Sequence, residues 1–232
     1  MKAMILAAGR GERMRPLSDH HPKPLLEVGG KPLIVWQIER LVRGGFTDIV
    51  INHAHLGHMI EAALGNGAQF GARISYSAEA EALETAGGIA TALHMLGERP
   101  FVLVSGDIYT HFDYSSLKPI VERIAAAPED AVAHFVLTDN PPYYPSGDMG
   151  IRDGLATLEP PKLTYANIGI FHPQLFDGMP RNTKLRLFPP MFDYVRAGRV
   201  TAEQYHGCWF NVGTPDHLAE LDRLLKEEAL TL

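Results

Sequence analysis

KAMILAAGRGERMRPLSDHHPKP, residues 2–24, decides the fold. The apolar run over 2–8 reads as a buried strand that stops at Gly9. Gly9 and Gly11 leave the backbone free to turn its N–H groups toward an anion without interference from a Cβ. A loop of this kind falls at the carboxyl end of a strand, where open α/β sheets bind their ligands. Two familiar phosphate motifs fail. The dinucleotide fingerprint needs a glycine where Met14 stands, and the Gly-Lys-Ser/Thr of the P-loop is absent. The loop instead supplies its own cations, Arg10, Arg13 and Arg15, followed by Lys23 between Pro22 and Pro24. A triphosphate attacked at its α-phosphorus shifts charge onto the departing pyrophosphate, and fixed Arg and Lys groups stabilise that charge. The flanking prolines restrict the backbone of Lys23. A bare Gly-x-Gly would read as a solvated turn. Strand, Gly-x-Gly-x-Arg and Pro-Lys-Pro together point to bound phosphate.

Outward from this loop, strand and helix patterns alternate. Helical spacing over 33–42 ends at Gly44 and Gly45, and DIVIN (48–52) is a second strand. A short amphipathic helix is expected over 55–64 and a strand over 73–77. A helix over 85–96 would be capped by Thr85, and the continuous apolar strand FVLVS (101–105) is suited to burial on both faces. This order predicts a doubly wound, mostly parallel, Rossmann-like α/β sheet with right-handed crossovers. The second half is mixed. It has strand patterns over 131–138 and 165–171, a hairpin over 149–159 turning at Asp153-Gly154, and a late strand over 209–212. Helices are expected over 187–196, with Pro189 and Pro190 in the first turn, and over 215–228. With no repeat or long linker, the chain reads as one domain over 1–232. Residues 1–112 would mainly bind nucleotide, and 113–232 would mainly shape an acceptor pocket.

Composition narrows the function. Apolar residues make up 46% of the 232, enough for a full core, and the formal net charge is −6, which disfavours a nucleic-acid binder. One cysteine, Cys208, excludes an intramolecular disulfide, and it reads as packing beside Trp209. No apolar run approaches the roughly 20 residues of a membrane span, and the N-terminus lacks the features of a signal peptide. A cytoplasmic protein with no membrane partner is expected. His55 and His58 lie three apart, but no acidic or cysteine partner completes a metal site, so a solvated or partly packed face is the better reading.

Asp107 follows the buried strand FVLVS, a costly place for a carboxylate unless it meets a cation. Mg²⁺ suits one carboxylate together with phosphate oxygens and water. Asp139-Asn140 and Gly147-Asp148 offer polar groups for an acceptor.

LAAGRGERMRPLSDHHPKPLLEVGGKPLI (6–34) resembles the signature of the sugar-phosphate nucleotidyltransferases, and weaker similarity runs over nearly the whole chain. The resemblance implies that nucleoside triphosphate and sugar 1-phosphate are the substrates. It makes Arg13 and Lys23 the catalytic cations, sets Gly9 and Gly11 against the triphosphate, and places Ala7 and Ala8 by the nucleoside. Glu12 stands where the family often has Thr, and phosphate contact there is expected from backbone. Asp107 falls in the slot of a Mg²⁺ ligand (Mn²⁺ as substitute), and Asn211, in CWFNVGTP, in that of the second. SAEAEALETAGG (77–88) resembles the segment that meets base and ribose, with Glu79 where many members have Gln. An ionised carboxylate only accepts hydrogen bonds, so Glu79 would suit uracil or guanine and disfavour cytosine. Thr85 and Gly87 would lie close to the nucleotide. Glu159 and Asn167 match positions that hold sugar hydroxyls, with Asn140 and Asp148 beside them.

The chain ends soon after its closing helix, leaving no room for the C-terminal β-helix of some members. Together with LETAGG and the short loop PPYYPSGDMG (141–150), this resembles the uridylyltransferases of cell-wall recycling. UTP and N-acetylmuramate α-1-phosphate are therefore expected. The cluster Arg181 to Arg186 is a candidate, against a solvated basic turn, for meeting the lactyl carboxylate. Heptose- or mannose-1-phosphate guanylyl transfer is the rival within the family, and a non-catalytic nucleotide-sugar sensor the rival outside it.

Overall fold

A computed structural model describes residues 1–227. The first half runs β1 (Lys2–Leu6), α1 (Leu17–His20), β2 (Glu27–Val28), β3 (Lys31–Pro32), α2 (Leu33–Arg43), β4 (Asp48–His53), α3 (Gly57–Leu64), β5 (Arg73–Ala78), α4 (Glu84–Leu96) and β6 (Phe101–Ser105). The second half runs β7 (Ile108–Thr110), α5 (Lys118–Ala126), β8 (Ala133–Thr138), β9 (Gly150–Arg152), β10 (Leu155–Thr157), β11 (Thr164–Phe171), α6 (Met191–Arg196), β12 (Val200–Tyr205), β13 (Trp209–Asn211) and α7 (Pro215–Lys226).

A nine-stranded sheet in the order β5-β4-β1-β6-β11-β8-β12-β10-β9 forms the centre. β5, β4, β1 and β6 are mutually parallel, while β11 runs antiparallel to both β6 and β8. The predicted division between a parallel first half and a mixed second half therefore falls at β6/β11. Alternation within each strand feeds two cores. Ala3, Ile5, Ile49, Ile51, Val102 and Val104 face one side with Ile34, Ile38, Ile60 and Val121 from α2, α3 and α5. Met4, Val50, Phe101 and Leu103 face the other with Ile89 and Ala92 of α4 and Met191 and Val195 of α6. Helices on both faces are what a doubly wound sheet requires.

The hairpin β9–β10 turns at Asp153 (φ 52) and Gly154 (φ 75), as the sequence predicts. Two expectations are corrected. The helix expected over 187–196 begins at Met191, with Pro190 as its N-terminal flank. A proline disfavours the helical region in the residue before it, so the tandem prolines precede the helix rather than forming its first turn. Thr85 does not cap α4. Leu83 flanks the helix with no side-chain cap, and Glu84 enters it at φ 62, which places Thr85 inside the first turn. The N–H of Gly87 is satisfied by the Leu185 carbonyl at 3.0 Å, and Leu185 N–H returns to the Leu83 carbonyl at 3.0 Å. The closing helix extends through Lys226, and Glu228 of its expected span lies outside the described residues.

A third, small cluster lies beside the glycine loop. Met14, Val28, Leu33, Tyr109, Val212 and Leu221 bury together, tying the glycine loop to α7 and to the chain after β13.

Candidate active site

β1 delivers the glycine loop to the carboxyl edge of the parallel strands. Gly11 has φ 67, and a Cβ there would stand 3.2 Å from Lys23 Cβ and 3.4 Å from Ser18 Cβ. The left-handed backbone favours glycine, and a Cβ would also crowd Lys23. The N–H groups of Gly9 to Glu12 have no hydrogen-bond acceptor among the described residues. They form a concavity of donors able to hold an anion. Buried Met14 anchors the end of this loop, while the neighbouring Arg13 stays exposed in the cleft.

Lys23 is 9% exposed, and its Nζ donates to Asp107 Oδ2 at 2.6 Å. Pro22 in extended conformation and the short turn Lys23–Leu25 hold it there. A cavity of about 250 Å³ joins Gly9, Gly11, Glu12, Arg13, Lys23 and Asp107, with Ala7 at its edge.

Asp107 and Asn211, separated by more than a hundred residues, meet through β7 and β13. These strands pair antiparallel with Asn211 opposite Ile108, and Val212 N–H donates to the Asp107 carbonyl at 3.0 Å. A carboxylate and an amide are hard oxygen donors of the kind that suits Mg²⁺; the Asp107 side chain opens on the phosphate cavity and that of Asn211 on the neighbouring larger cavity. No group of three His, Cys, Asp or Glu side chains suited to a metal occurs among the described residues.

A second cavity, about 340 Å³, opens beside the first and is walled by Ala8, Asn52, Leu83, Glu84, Thr85 and Ser105. Glu79 is not on its wall. It is 6% exposed; Oε1 accepts from Asn52 Nδ2 at 2.7 Å and Oε2 from Leu83 N–H at 3.0 Å. Burial pushes its carboxyl above the usual range, outweighing the hydrogen bonds from Asn52 and Leu83. Both Glu79 oxygens are thus engaged by Asn52 and Leu83, where the sequence leads one to expect a carboxylate open to the base. Asn52, absent from the sequence reading, lies on the cavity wall although it too is buried. Its Oδ1 accepts from Ala7 N–H at 3.0 Å, fixing which face of the amide turns to the cavity. Its signal was available, since DIVIN ends at the same sheet edge as LAAG. Gly87 is also behind the wall. A Cβ there would come within 2.1 Å of the Thr183 carbonyl oxygen, so the close approach it permits is to the protein's own backbone.

The largest cavity of the cleft, about 490 Å³, continues from Arg13, Thr85 and Ser105 to Asp148, Asn167, Trp209 and Asn211. Asp148 Oδ1 accepts from Tyr144 OH at 2.9 Å and Oδ2 from Tyr165 N–H at 2.8 Å. Asn167 sits at φ 57, where the β11/β8 register breaks between Tyr165 and Ile168. Asn tolerates this left-handed conformation better than most residues, and the bulge re-aims it to the cleft. Asn140 and Glu159 are placed elsewhere. Asn140 fastens its own loop, donating to the Pro145 and Lys162 carbonyls and accepting from Thr164 Oγ1. Glu159 is exposed in the turn after β10 and does not line the cavity. The basic stretch 181–186 also stands outside it. Lys184 pairs with Glu81 at 2.6 Å, and the cavity is reached by Leu187 and Phe188 instead. Arg13 is the one Lys or Arg on its lining, and it is shared with the phosphate cavity. Aromatic groups missed in the sequence reading, among them Tyr143 and Tyr144, also line the larger cavity. Tyr143 lies against His217 of α7 with ring centroids 4.7 Å apart.

Comparison with known proteins adds the lineage. The family described as Nucleotidyl transferase matches residues 2–228. The chain is 46% identical over 230 residues to the N-acetylmuramate alpha-1-phosphate uridylyltransferase of Neisseria meningitidis serogroup B, covering 97% of this chain and 98% of that one. It is 35% identical to the protein of the same description from Caulobacter vibrioides, with 92% of each covered. A solved Bacillus anthracis structure, described as a glucose-1-phosphate thymidylyltransferase in complex with a sucrose, superposes with a TM-score of 0.81. It covers 98% of this chain and 96% of that one at 23% identity, which establishes a common fold.

Proposed function

Because this chain belongs to the nucleotidyl transferase family and is a sugar-1-phosphate nucleotidyltransferase, we propose that UTP is its donor and N-acetylmuramate α-1-phosphate its acceptor. Pyrophosphate and a UDP-sugar are the products. Identity to the two uridylyltransferases extends over nearly the full length of each chain, which favours this pair over guanylyl transfer to a heptose or mannose phosphate. The observation that carries the chemistry is the position of Arg13. Its guanidinium has no acidic partner among the described residues, and it lines both the phosphate cavity and the acceptor cavity. The reacting phosphates have to meet at such a boundary. A non-catalytic sensor would have no need to stabilise a leaving group, the task that Arg13, Lys23 and Asp107 together suit.

In the proposed reaction a phosphate oxygen of the acceptor attacks the α-phosphorus of UTP. A new P–O bond forms while the bond from the α-phosphorus to the bridging oxygen of the pyrophosphate breaks. The attacking oxygen is already anionic, so no general base is needed, and rate comes from positioning and charge stabilisation. The N–H groups of Gly9 to Glu12 hold the triphosphate. Arg13 stabilises the transferring phosphoryl group, and Lys23 the departing pyrophosphate. Asp107 and Asn211 would hold Mg²⁺, or Mn²⁺ in its place, which supplies charge neutralisation to the triphosphate. Asp107 and Lys23 pair with each other at 2.6 Å. Asn52 and Thr85 face the nucleoside, with Glu79 and Gly87 supporting the wall from behind. Asp148 and Asn167 face the sugar. A cytoplasmic location belongs to this reading; among the described residues no helix is long and apolar enough to cross a membrane.

Pyrophosphate release from each of four nucleoside triphosphates against a panel of sugar 1-phosphates tests this reading. UTP with N-acetylmuramate α-1-phosphate should be the fastest pair, ahead of N-acetylglucosamine phosphate, which lacks the lactyl group. Equal use of both sugars would refute lactyl recognition. Faster turnover of GTP with a heptose or mannose phosphate would overturn the assignment.

A further inference from the structure

The carbonyl of Gly11 is held twice. Met14 N–H donates to it at 2.8 Å, and Ser18 Oγ donates to it at 2.8 Å. Ser18 is 2% exposed, on the short helix α1, and the Gly11 carbonyl is the acceptor for its hydroxyl. The peptide unit between Gly11 and Glu12 is planar and trans, so its N–H points opposite to its C=O. A carbonyl pinned toward α1 therefore turns the Glu12 N–H to the other side of the loop, where Gly11, Glu12 and Arg13 wall the phosphate cavity. Gly11 at φ 67 supplies the backbone conformation, and the hydroxyl of Ser18 selects the direction of the peptide plane.

α1 is itself anchored from outside the loop. His55, between β4 and α3, places Nε2 3.0 Å from the Ser18 carbonyl oxygen. A carbonyl only accepts, so Nε2 carries the proton there in either the neutral or the charged ring. Arg15 and Asp19 add an ion pair at 3.1 Å across the start of the same helix.

We infer that Ser18 is a positioning residue for nucleotidyl transfer: its hydroxyl presets the Glu12 N–H as a donor to the triphosphate, and His55 holds Ser18 in place. A donor aimed before substrate arrives needs no reorganisation as charge develops, which is the condition under which such groups are most effective. The inference rests on the reading of residues 9–13 as the triphosphate cradle.

The test uses Ser18→Ala, Ser18→Thr and His55→Ala in the full-length chain, with steady-state kinetics in both substrates and thermal denaturation. Ser18→Ala should lower kcat/KM for UTP roughly ten-fold, the scale of one hydrogen bond to a charged group. The KM for the sugar phosphate should stay unchanged, and Ser18→Thr, which keeps the hydroxyl, should restore most of the loss. If Ser18→Ala fails to fold, His55→Ala, at a partly exposed position, should still show a loss of about three-fold in the UTP parameter alone. The positioning role is overturned if Ser18→Ala is as active as the unsubstituted enzyme, if Thr is no better than Ala, or if either variant weakens both substrates equally. Arg13→Ala and Lys23→Ala separate the two readings. If they are inactive while Ser18→Ala is unaffected, only the positioning role falls. If they are active, the cradle reading falls with it.

Discussion

The donor side of the cleft presents free main-chain N–H groups with the charges of Arg13, Lys23 and Asp107, whereas the acceptor side presents Tyr143, Tyr144, Tyr165, Phe188 and Trp209 with Asp148 and Asn167 among them. In the proposed reading the donor side would grip what every nucleoside triphosphate shares, its phosphates. The acceptor side has one carboxylate, two amides and aromatic walls, and in the same reading it would select by shape and by hydroxyl pairing. Damage to the first should appear in turnover. Damage to the second should appear in the apparent affinity for one substrate. The two sides share a single cation, Arg13, where both effects should merge.

The largest effects test the charged side. Excess EDTA should abolish pyrophosphate release, and Asp107→Ala should be inactive, because the ligand pair would lose its carboxylate. Asn211→Asp should remain active, since it adds charge to a ligand oxygen. Activity that survives EDTA would remove the metal from the donor side. An inactive but folded Asn211→Asp would remove Asn211 from the ligand pair. Next come Lys23→Ala and Arg13→Ala, each expected to lower kcat on the order of 10²-fold or more with the fold retained by circular dichroism. Near-normal turnover in both would erase the contrast between the two sides.

On the acceptor side, Asn167→Ala should raise the KM for the sugar phosphate about ten-fold while leaving that for UTP unchanged. Asp148→Ala should do the same with added loss of stability, because the Tyr165 N–H and Tyr144 OH would lose their acceptor. A change in the UTP parameter of equal size would show that the two sides are energetically one site.

The same contrast explains what the sequence disclosed. Donor residues are close in sequence: Gly9, Gly11, Arg13 and Lys23 lie in one stretch whose glycines and prolines announce its backbone, and Asp107 is conspicuous because it follows a buried, nearly all-apolar strand. The acceptor side is assembled from a loop, a bulge and a strand end, so sequence spacing does not say which polar residue faces inward. Asn140 and Asp148 belong to the same stretch, yet one fastens the loop and the other lines the cleft. Glu79 was legible as important but not as buried, because its partners Asn52 and Leu83 come from a different strand and from the start of α4. The extent of the sheet's second half was less legible for a similar reason. β12 buries only the small Val200 and Ala202 in alternation and carries little apolar signal.

Glu79 also gives a smaller, pH-dependent prediction. Its folded-state pKa is raised above the unfolded value, so the native state holds the proton more tightly. Its contribution to stability is therefore greatest below the ordinary carboxyl range and declines as pH rises through the raised pKa. Glu79→Gln removes this titration. It also turns an amide donor toward either Asn52 Nδ2 or Leu83 N–H, at a cost of about 1–3 kcal/mol. Denaturant unfolding should find the variant less stable at every pH, with the smallest difference at the alkaline end. A gap that widens with rising pH would contradict the assigned direction.

The smallest effect is expected from Glu84, which stands on the nucleoside wall at φ 62. A side chain in the left-handed region costs about 1–2 kcal/mol relative to the right-handed one, and glycine avoids that cost. Glycine also gains freedom in the unfolded chain, which offsets part of the relief. Glu84→Gly should therefore change stability by no more than about 1 kcal/mol, in the stabilising direction. The kinetic consequence decides what the strained carboxylate does. If the variant is more stable and its KM for UTP rises while the acceptor KM is unchanged, the carboxylate accepts a hydrogen bond from the nucleoside, and a matched series with dUTP assigns that bond to the ribose or to the base. If the variant is more stable with both KM values unchanged, Glu84 contributes nothing to binding, and recognition on the donor side lies in the phosphate contacts and the fixed amide of Asn52.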